Sequence, residues 1–195
     1  LTTVEVTQEG AFFDTTTNYS HDAFSGSVPA SPQATARVIC LGFAGQTSGY
    51  PMVGFAGTYT QDYEVVAEMG NLQKANVTYE MTGQRDAGLI LQPLAAQTDS
   101  WDTTSSPVDN SASTSGGGVG YIQCTAASGF SGFIGKVRHS ADNVTYSDLL
   151  SFTNNVSAPF AERVSVSGTV NRYLSFTGII TGTGSITVFC GFSRS

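Results

Sequence analysis

The chain is poor in the residues from which catalytic and metal sites are built. Of its 195 residues only two are histidine, His21 and His139, and only 12% are charged. No two Cys or His residues have the short spacing, about two to four positions, that zinc sites use. The acidic residues do not follow the spacing of a calcium-binding loop either. The sequence therefore predicts no catalytic residues, no cofactor and no metal.

Long apolar runs and targeting signals are also missing. No run approaches the roughly 20 residues of a membrane-spanning helix, so we expect neither an integral membrane protein nor a membrane partner. The start, Leu1-Thr-Thr-Val-Glu5, has no basic segment followed by an apolar one, so no signal peptide is predicted. It also lacks an initiator methionine, which indicates either processing or a sequence that begins partway through a longer product.

Cysteine is scarce and odd in number. Cys40, Cys124 and Cys190 lie far apart, each in an apolar or alternating run. An odd count argues against a complete disulfide framework, and isolated cysteines in such runs are usually small buried hydrophobic residues. We expect all three to be reduced and buried.

Positive charge is scarce in the first part of the chain. Residues 1–110 hold 12 Asp and Glu against 3 Lys and Arg, whereas residues 111–195 hold 3 against 5, and the whole chain carries −7. An acidic surface repels phosphates, so the first part is not expected to grip nucleic acid. A surface that nucleic acid slides past stays open, as does ordinary solubilising charge.

What is abundant favours strands and turns: Gly, Ser and Thr, with many short alternating runs. The cleanest alternation places Ala75, Val77, Tyr79 and Met81 on one face of a strand within 71–82, which implies one solvated face. The run 35–44 is the most apolar of the first part and predicts a central strand buried on both faces. Further strands are predicted at 2–8, 52–60, 62–67 and 88–91, the last ending before Pro93. Ser20 or Asp22 predicts the N-cap of one short helix that ends near Gly26.

Residues 98–118 are mostly Asp, Ser, Thr, Asn, Pro and Gly, which is typical of a linker. Trp101 is the exception, and it either packs down as an anchor or lies in a subunit contact. After the linker, short strands with nearly even spacing indicate a β-sandwich or small barrel. They are predicted at 121–125, 136–143, 146–152, 162–168, 170–176 and 185–192, with turn residues at Ser140–Asn143 and Thr181–Gly184.

Two groups of residues invite a functional interpretation. His139, Ser140 and Asp142 resemble triad members by type, but a working triad converges from separate elements. We therefore expect a turn in which Asp142 accepts hydrogen bonds from backbone amides, and local capping at His21-Asp22. Arg138, Arg163 and Arg172 could line a groove for sugars or nucleic acid. Single arginines on strands are more often solvated or in intersubunit ion pairs.

Several runs of residues together resemble a known pattern. In the first part of the chain they are Phe13-Asp-Thr-Thr16, His21-Asp-Ala-Phe-Ser-Gly26, Tyr59-Thr-Gln-Asp-Tyr-Glu-Val65 and 70–79. In the second part they are Gly118-Val-Gly-Tyr-Ile-Gln-Cys-Thr125, 136–149 and 162–174. At the level of pattern, these runs, which span most of the chain, resemble the major tail (tail tube) proteins of long-tailed double-stranded DNA bacteriophages. Tube proteins usually have further strands before this point, so the resemblance also suggests a truncated start.

The resemblance implies an all-β chain with a tube-forming β-sandwich or barrel unit at 1–97, a linker at 98–118 and a smaller Ig-like β-sandwich at 119–195. It implies a virion structural protein whose subunits form rings, usually of six, that stack into the tail tube. The expected partners are further copies of the chain, other tail proteins, and viral DNA that passes through without specific binding. The expected location is the virion tail.

Two other functions remain open at this stage. A capsid decoration protein or a carbohydrate-binding, host-surface-binding β-sandwich module would present aromatic side chains together on an exposed face. Such a face could be supplied by Tyr121, Tyr146, Tyr173 and Trp101. Their burial would favour the tail tube protein, and their joint exposure would favour the binding module. An enzyme has the weakest support, because it would need His139 or His21 beside a carboxylate and a nucleophile from different strands.

Overall fold

The structure, a computed structural model, describes residues 4–12, 37–43, 45–67, 69, 73–81 and 85–195. Across these residues it is all-β, as predicted: every regular element is a strand and the pairing is antiparallel. The predicted helix at Ser20 or Asp22 to Gly26, together with His21, lies outside the described residues. The assignment of a sandwich or barrel to either part of the chain stays a prediction.

The strands are β1 (Val4–Phe12), β2 (Arg37–Gly42), β3 (Pro51–Val66), β4 (Lys74–Met81), β5 (Arg85–Gln97), β6 (Trp101–Asp102), β7 (Val108–Asp109), β8 (Gly118–Ser140), β9 (Ser147–Ser151), β10 (Phe160–Val166) and β11 (Tyr173–Arg194).

The chain divides into two compact units. The first comprises Leu1–Ile39 and Phe55–Gln84, and the second comprises Cys40–Gly54 and Arg85–Ser195. Strand β3 therefore begins in the second unit and continues into the first. This division does not coincide with the predicted domains 1–97 and 119–195, because the predicted linker 98–118 falls inside the second unit.

In the first unit β4 pairs with β1 on one side and with β3 on the other. The predicted alternation on β4 is confirmed, since Ala75, Val77, Tyr79 and Met81 are all buried. The prediction of two strands at 52–60 and 62–67 is wrong, because β3 is one strand of 16 residues. Its register against β4 shifts between Thr60 and Asp62. The apparent break in the sequence is thus an irregularity within a continuous strand.

In the second unit β11 lies between β5 and β8, and β10 pairs with the other edge of β8. Strands β8 and β11 have 23 and 22 residues, so the separate short strands predicted at 121–125 and 136–143, and at 170–176 and 185–192, are wrong. The turn predicted at Thr181–Gly184 lies inside β11. Gly182 of β11 and Gly129 of β8 both have positive φ, and the register of the two strands shifts there. These glycines therefore form bulges rather than a chain reversal.

Strand β5 continues to Gln97, so its predicted end before Pro93 is also wrong. The pairing of β5 with β11 is irregular at this point: Ala95 faces Val188, and the next registered pair is Gln92 with Cys190. Proline cannot donate a backbone hydrogen bond, and a register shift is one of the few places where a paired strand tolerates it.

The predicted linker contributes structure to the second unit. Strands β6 and β7 both pair with β11, and Val108 of β7 is buried in the core.

The core of the second unit lies on one face of β8 and β11, where apolar residues alternate with residues of the opposite face. Its fully buried members include Ile122, Phe133, Val137, Leu174, Phe176, Ile186 and Val188.

The prediction that this strand, β2, is buried on both faces is wrong, because Val38, Ile39, Cys40 and Leu41 are all half-buried. All three cysteines are free, as predicted, and Cys124 and Cys190 are buried whereas Cys40 is half-buried. Burial raises the pKa of the Cys40 thiol to about 12 and that of Cys124 to about 11. Such thiols stay protonated at neutral pH and are poor nucleophiles.

Candidate functional site

The solvated face of the first unit is the most acidic surface that the register of the strands defines. Directly paired residues lie on the same face of a sheet, and Glu80 of β4 faces Glu5 of β1. On the other side of β4, Thr78 faces Asp62 and Asn76 faces Glu64. We call the set Glu5, Thr7, Asp62, Glu64, Asn76, Thr78 and Glu80 the acidic face.

The acidic face carries four carboxylates, those of Glu5, Asp62, Glu64 and Glu80. Two hydrogen bonds link its side chains. The Asn76 amide donates to Glu64 Oε2 at 3.3 Å, and the hydroxyls of Thr7 and Thr78 are 3.3 Å apart. Lys74, at the end of β4, is the one cation on this face of β4. Like charges directly opposite each other, as in Glu5 and Glu80, destabilise a strand pair. The pairing of Glu5 with Glu80 therefore costs the isolated unit stability.

A metal ion does not explain these carboxylates. Within the described part of the chain, no three His, Cys, Asp or Glu residues are grouped so that they could hold one. The expectation of no metal and no cofactor stays a prediction.

A buried polar cluster joins three strands of the second unit. Asp86 Oδ2 on β5 accepts hydrogen bonds from the Tyr121 hydroxyl on β8 and from Arg163 on β10. The Arg163 distances are 3.1 Å from Nε and 2.9 Å from Nη2, and Nε also lies 3.0 Å from the Tyr121 hydroxyl. We call these three residues the Asp86 network.

Burial gives the Asp86 network its energetic weight. Tyr121 is fully buried, and the side chains of Asp86 and Arg163 are 7% and 23% exposed. Burial, followed by the hydrogen bond to Asp86, raises the pKa of the Tyr121 hydroxyl, which therefore stays a proton donor. A Cβ at Gly54 would lie 2.5 Å from the Tyr121 ring, so only glycine permits this close approach. The network fixes the edge strand β10 relative to β5 and β8.

Trp101 packs down as an anchor within the second unit, which is one of the two roles predicted for it. Its ring stacks on Phe133 at 6.0 Å between centroids and lies 5.8 Å from the ring of Phe176. Its Nε1 donates to Gln92 Oε1 at 2.8 Å. The absence of a side chain at Gly178 makes room for the indole.

His139, Ser140 and Asp142 form a turn, as predicted, and not a catalytic triad. Asp142 Oδ1 accepts hydrogen bonds from the Val144 and Thr145 amides, each at 2.9 Å, and from the Ser140 hydroxyl at 2.8 Å. His139 Nδ1 instead accepts from the Asn171 amide at 3.1 Å. Burial and the charge of Arg194 lower the pKa of His139.

The turn gives a prediction for the Asp142→Asn variant. The Thr145 and Val144 amides, then the Ser140 hydroxyl, lower the pKa of Asp142 from 3.8 to about 2. A depressed pKa means that the ionised carboxylate stabilises the fold above pH 3.8, and that this contribution disappears as the pH falls through about 2. We expect the variant to be less stable than the wild type at pH 7 and equally stable near pH 2. Urea unfolding across this range measures the difference, and a gap that is independent of pH would contradict the assignment.

The three arginines considered for a groove are each paired within the chain. Arg163 binds Asp86, Arg138 Nε lies 3.4 Å from Asp148, and Arg172 makes two hydrogen bonds to Asp109 at 2.7 and 2.6 Å. The Arg172 pair and the Ser111 amide lower the pKa of Asp109 to about 2. These contacts are intramolecular, not intersubunit. They also neutralise charge that a phosphate-binding groove would need.

The aromatic residues that would make a sugar-binding platform are not presented together. Tyr121 is fully buried and Trp101 packs in the core. Tyr146 and Tyr173 are half-buried, and each lies beside an arginine: Arg138 is 5.9 Å from the Tyr146 ring centroid and Arg172 is 4.8 Å from that of Tyr173. Their placement disfavours the carbohydrate-binding module.

Comparison with protein-family models, with curated proteins and with solved structures finds no match to this chain. In the part of the chain that the structure describes, no helix has the length and apolar character needed to cross a membrane.

Sequence reasoning missed the Asp86 network and the register of the acidic face. Asp86 and Arg163 are 77 positions apart, and nothing in the neighbouring sequence marks Asp86 as buried. The alternation on β4 does identify the solvated face, but only the pairing of β1 with β4 places Glu5 opposite Glu80.

Proposed function

We propose that the chain is a virion structural protein, a tail tube subunit of a long-tailed double-stranded DNA bacteriophage. Copies of the chain assemble into rings that stack into a tube, and the genome passes through the tube without specific binding. The sequence resemblance suggests this function, and the acidic face is the single structural observation that supports it best. In this proposal the chain has no catalytic role.

The acidic face suits the wall of a DNA conduit. A surface that must let DNA pass has to avoid clusters of cations, because cations bind the phosphates by releasing their counterions. The four carboxylates of the acidic face repel phosphates instead. Glu5 and Glu80 lie directly opposite each other, and their repulsion costs the isolated unit stability, so a function outside the unit accounts for this pair better than folding does.

The edges of the first unit's sheet also suit assembly. Among the described residues, β1 pairs with β4 alone, which places it at the edge of the described sheet. Exposed edges invite pairing with another chain, and closing a sheet into a barrel removes them. A ring of subunits whose sheets continue from one copy to the next would therefore place the acidic faces side by side.

The alternatives have less support. A capsid decoration protein is compatible with an all-β fold, but it gives the acidic face no role. A carbohydrate-binding module would need the exposed aromatic platform that Tyr121 and Trp101 do not provide. A triad-type hydrolase would need a histidine beside a nucleophile, whereas His139 Nδ1 accepts a hydrogen bond from the Asn171 amide.

Electron microscopy of the concentrated protein tests the proposal. We expect rings, or stacked rings with a central channel, in negatively stained samples. A chain that remains dispersed as monomers at concentrations near those inside a virion would contradict the tail tube function. Rings whose acidic faces point outward, located by gold labelling of a cysteine introduced at Thr78, would contradict the assignment of the lumen.

A further inference from the structure

The segment that leads into β11 is held to β8 through a histidine. We call this segment, residues 170–172, the 170–172 segment. Its Asn171 amide donates a hydrogen bond to His139 Nδ1 at 3.1 Å. His139 is half-buried near the end of β8, where it pairs with Leu174 of β11 and with Ser147 of β9. Because an amide N–H can only donate, this bond requires a neutral imidazole whose Nδ1 carries no proton.

Arg194, near the end of β11, binds the same segment through its carbonyl groups. Its guanidinium donates to the Val170 carbonyl at 2.9 Å, to the Arg172 carbonyl at 3.1 Å and to the Asn171 carbonyl. Asn171 is thus held at its amide by His139 and at its carbonyl by Arg194. None of the ion pairs among the described residues includes His139 or Arg194.

The 170–172 segment also connects the loop after β7 to the core. Val170 is fully buried, its amide donates to the Thr114 carbonyl at 2.8 Å, and its carbonyl accepts from the Thr114 amide at 2.9 Å. The Asn110 amide donates to the Arg172 carbonyl at 3.1 Å. Loosening the segment would therefore loosen residues 110–114 as well.

Protonation of His139 opposes these contacts in two ways. An imidazolium has a proton on both ring nitrogens, so Nδ1 can no longer accept from the Asn171 amide. The new positive charge also acts against that of Arg194, and burial together with Arg194 lowers the pKa of His139 below its ordinary value of 6.5. The other charged groups of the neighbouring strands and turn are bound elsewhere: Lys136 and Arg138 to Asp148, Arg172 to Asp109, and Asp142 to backbone amides of its own turn.

We propose that the contact between His139 and Asn171 is a pH-sensitive switch within the second unit. The neutral imidazole holds the 170–172 segment on β8, and protonation of the ring in mild acid releases the segment. Since the pKa of His139 is lowered in the folded chain, the contact stabilises the fold above pH 6.5, and this contribution is lost as the pH falls below that value. The switch goes beyond the proposed function and does not depend on it, because all of its groups belong to one chain.

Hydrogen exchange of the purified full chain, followed by NMR at about pH 7.5 and about pH 5.0, provides the test. Protection factors are corrected for the pH dependence of intrinsic exchange. We expect the protection of the Asn171 amide to fall by about tenfold or more in acid, because a buried donor that loses its acceptor is costly. The Val144 and Thr145 amides are an internal control. Their acceptor Asp142 has a pKa of about 2 and stays ionised at both pH values, so their protection should not change.

Two single variants separate the two histidines of the chain. In His139→Asn the side-chain oxygen can replace Nδ1 as acceptor, but it does not titrate, so the Asn171 amide should be equally protected at both pH values. His21→Asn is the matched control, because it removes the other histidine and should retain the wild-type response.

The switch is wrong if the protection of Asn171 in the wild type is the same at both pH values, or if His139→Asn loses protection as the wild type does. It is also wrong if Val144 and Thr145 lose protection in parallel, since the acid would then loosen the whole unit. If circular dichroism shows that His139→Asn does not fold, an NMR titration of the wild type decides. The Asn171 amide signal should shift with the same midpoint as the His139 ring, and different midpoints would overturn the inference.

Discussion

The Arg163→Met variant is expected to lose about 3 kcal/mol of the free energy of unfolding, the low end for a broken buried ion pair because Arg163 is 23% exposed. The substitution leaves the Asp86 carboxylate 7% exposed and without its cation. The Tyr121 hydroxyl then remains its one hydrogen-bond donor within the Asp86 network. Urea unfolding measures the loss, and the slope of free energy against urea should not change, because the folded state stays compact.

Arg172→Met is the matched control for this prediction. Arg172 also pairs with an aspartate and also lies over a tyrosine ring, but the side chains of Arg172 and Asp109 are 42% and 43% exposed. Exposed pairs contribute little because water and salt screen them. We expect a much smaller loss in this variant. Equal losses would mean that burial does not determine the strength of these pairs.

A double variant, Asp86→Leu with Arg163→Met, separates the pair's net contribution from the cost of breaking it. Replacing both buried charges by apolar groups removes the unpaired carboxylate, so the double variant should be more stable than Arg163→Met alone. The net contribution of the pair is the difference between the double variant and the wild type. A double variant that is less stable than the wild type would mean that the network adds stability as well as fixing the position of β10.

Charge reversal on the acidic face is expected to have the largest effect on function. In Glu64→Lys/Glu80→Lys, every copy places two new cations on the surface that we propose lines the lumen. DNA inside the tube should then be retained. We expect genome release from assembled particles to slow by at least about tenfold, since each cation that contacts a phosphate adds to a steep, salt-dependent affinity. Release is measured with a fluorescent DNA dye, and added NaCl should restore it.

The same face makes an opposite prediction for the isolated chain. In Glu80→Lys alone the new cation lies opposite Glu5. A like-charge pair becomes an opposite-charge pair, so the free energy of unfolding should rise by about 0.2 to 1 kcal/mol.

Asp99→Lys makes the same charge change at an exposed turn of the second unit and serves as the control for genome release. If both single variants release DNA equally slowly, the location of the charge is irrelevant and the lumen assignment is wrong.

Local patterns predicted those parts of the fold whose environment repeats with the period of a strand. Strand β4 is the clearest case, because each alternate residue reports which face is buried. The turn at Asp142 was also predictable, since a short acidic side chain after a strand satisfies nearby amides without distant partners. Such features depend on neighbours in sequence.

The errors arise where distant residues decide the structure. The run Thr181–Gly184 has the composition of a turn. Because this run pairs with β8, it forms a bulge within the long strand β11 instead. Pro93 is tolerated in β5 only because the pairing with β11 is irregular there. The Asp86 network requires β5, β8 and β10 to be placed first. None of these partners is visible within a window of sequence.

The position of β11 in the chain has a consequence for biosynthesis. Strands β5, β6, β7 and β8 all pair with β11, and all of them precede it in sequence. Gly118 of β8 pairs with Arg194, 76 residues later, so at 5 to 20 residues per second the ribosome needs about 4 to 15 s to supply this partner. During that interval the nascent chain exposes unpaired strand edges. Chaperone binding to the nascent chain should therefore peak before β11 emerges from the exit tunnel, and ribosome profiling of chaperone-bound complexes would locate that peak.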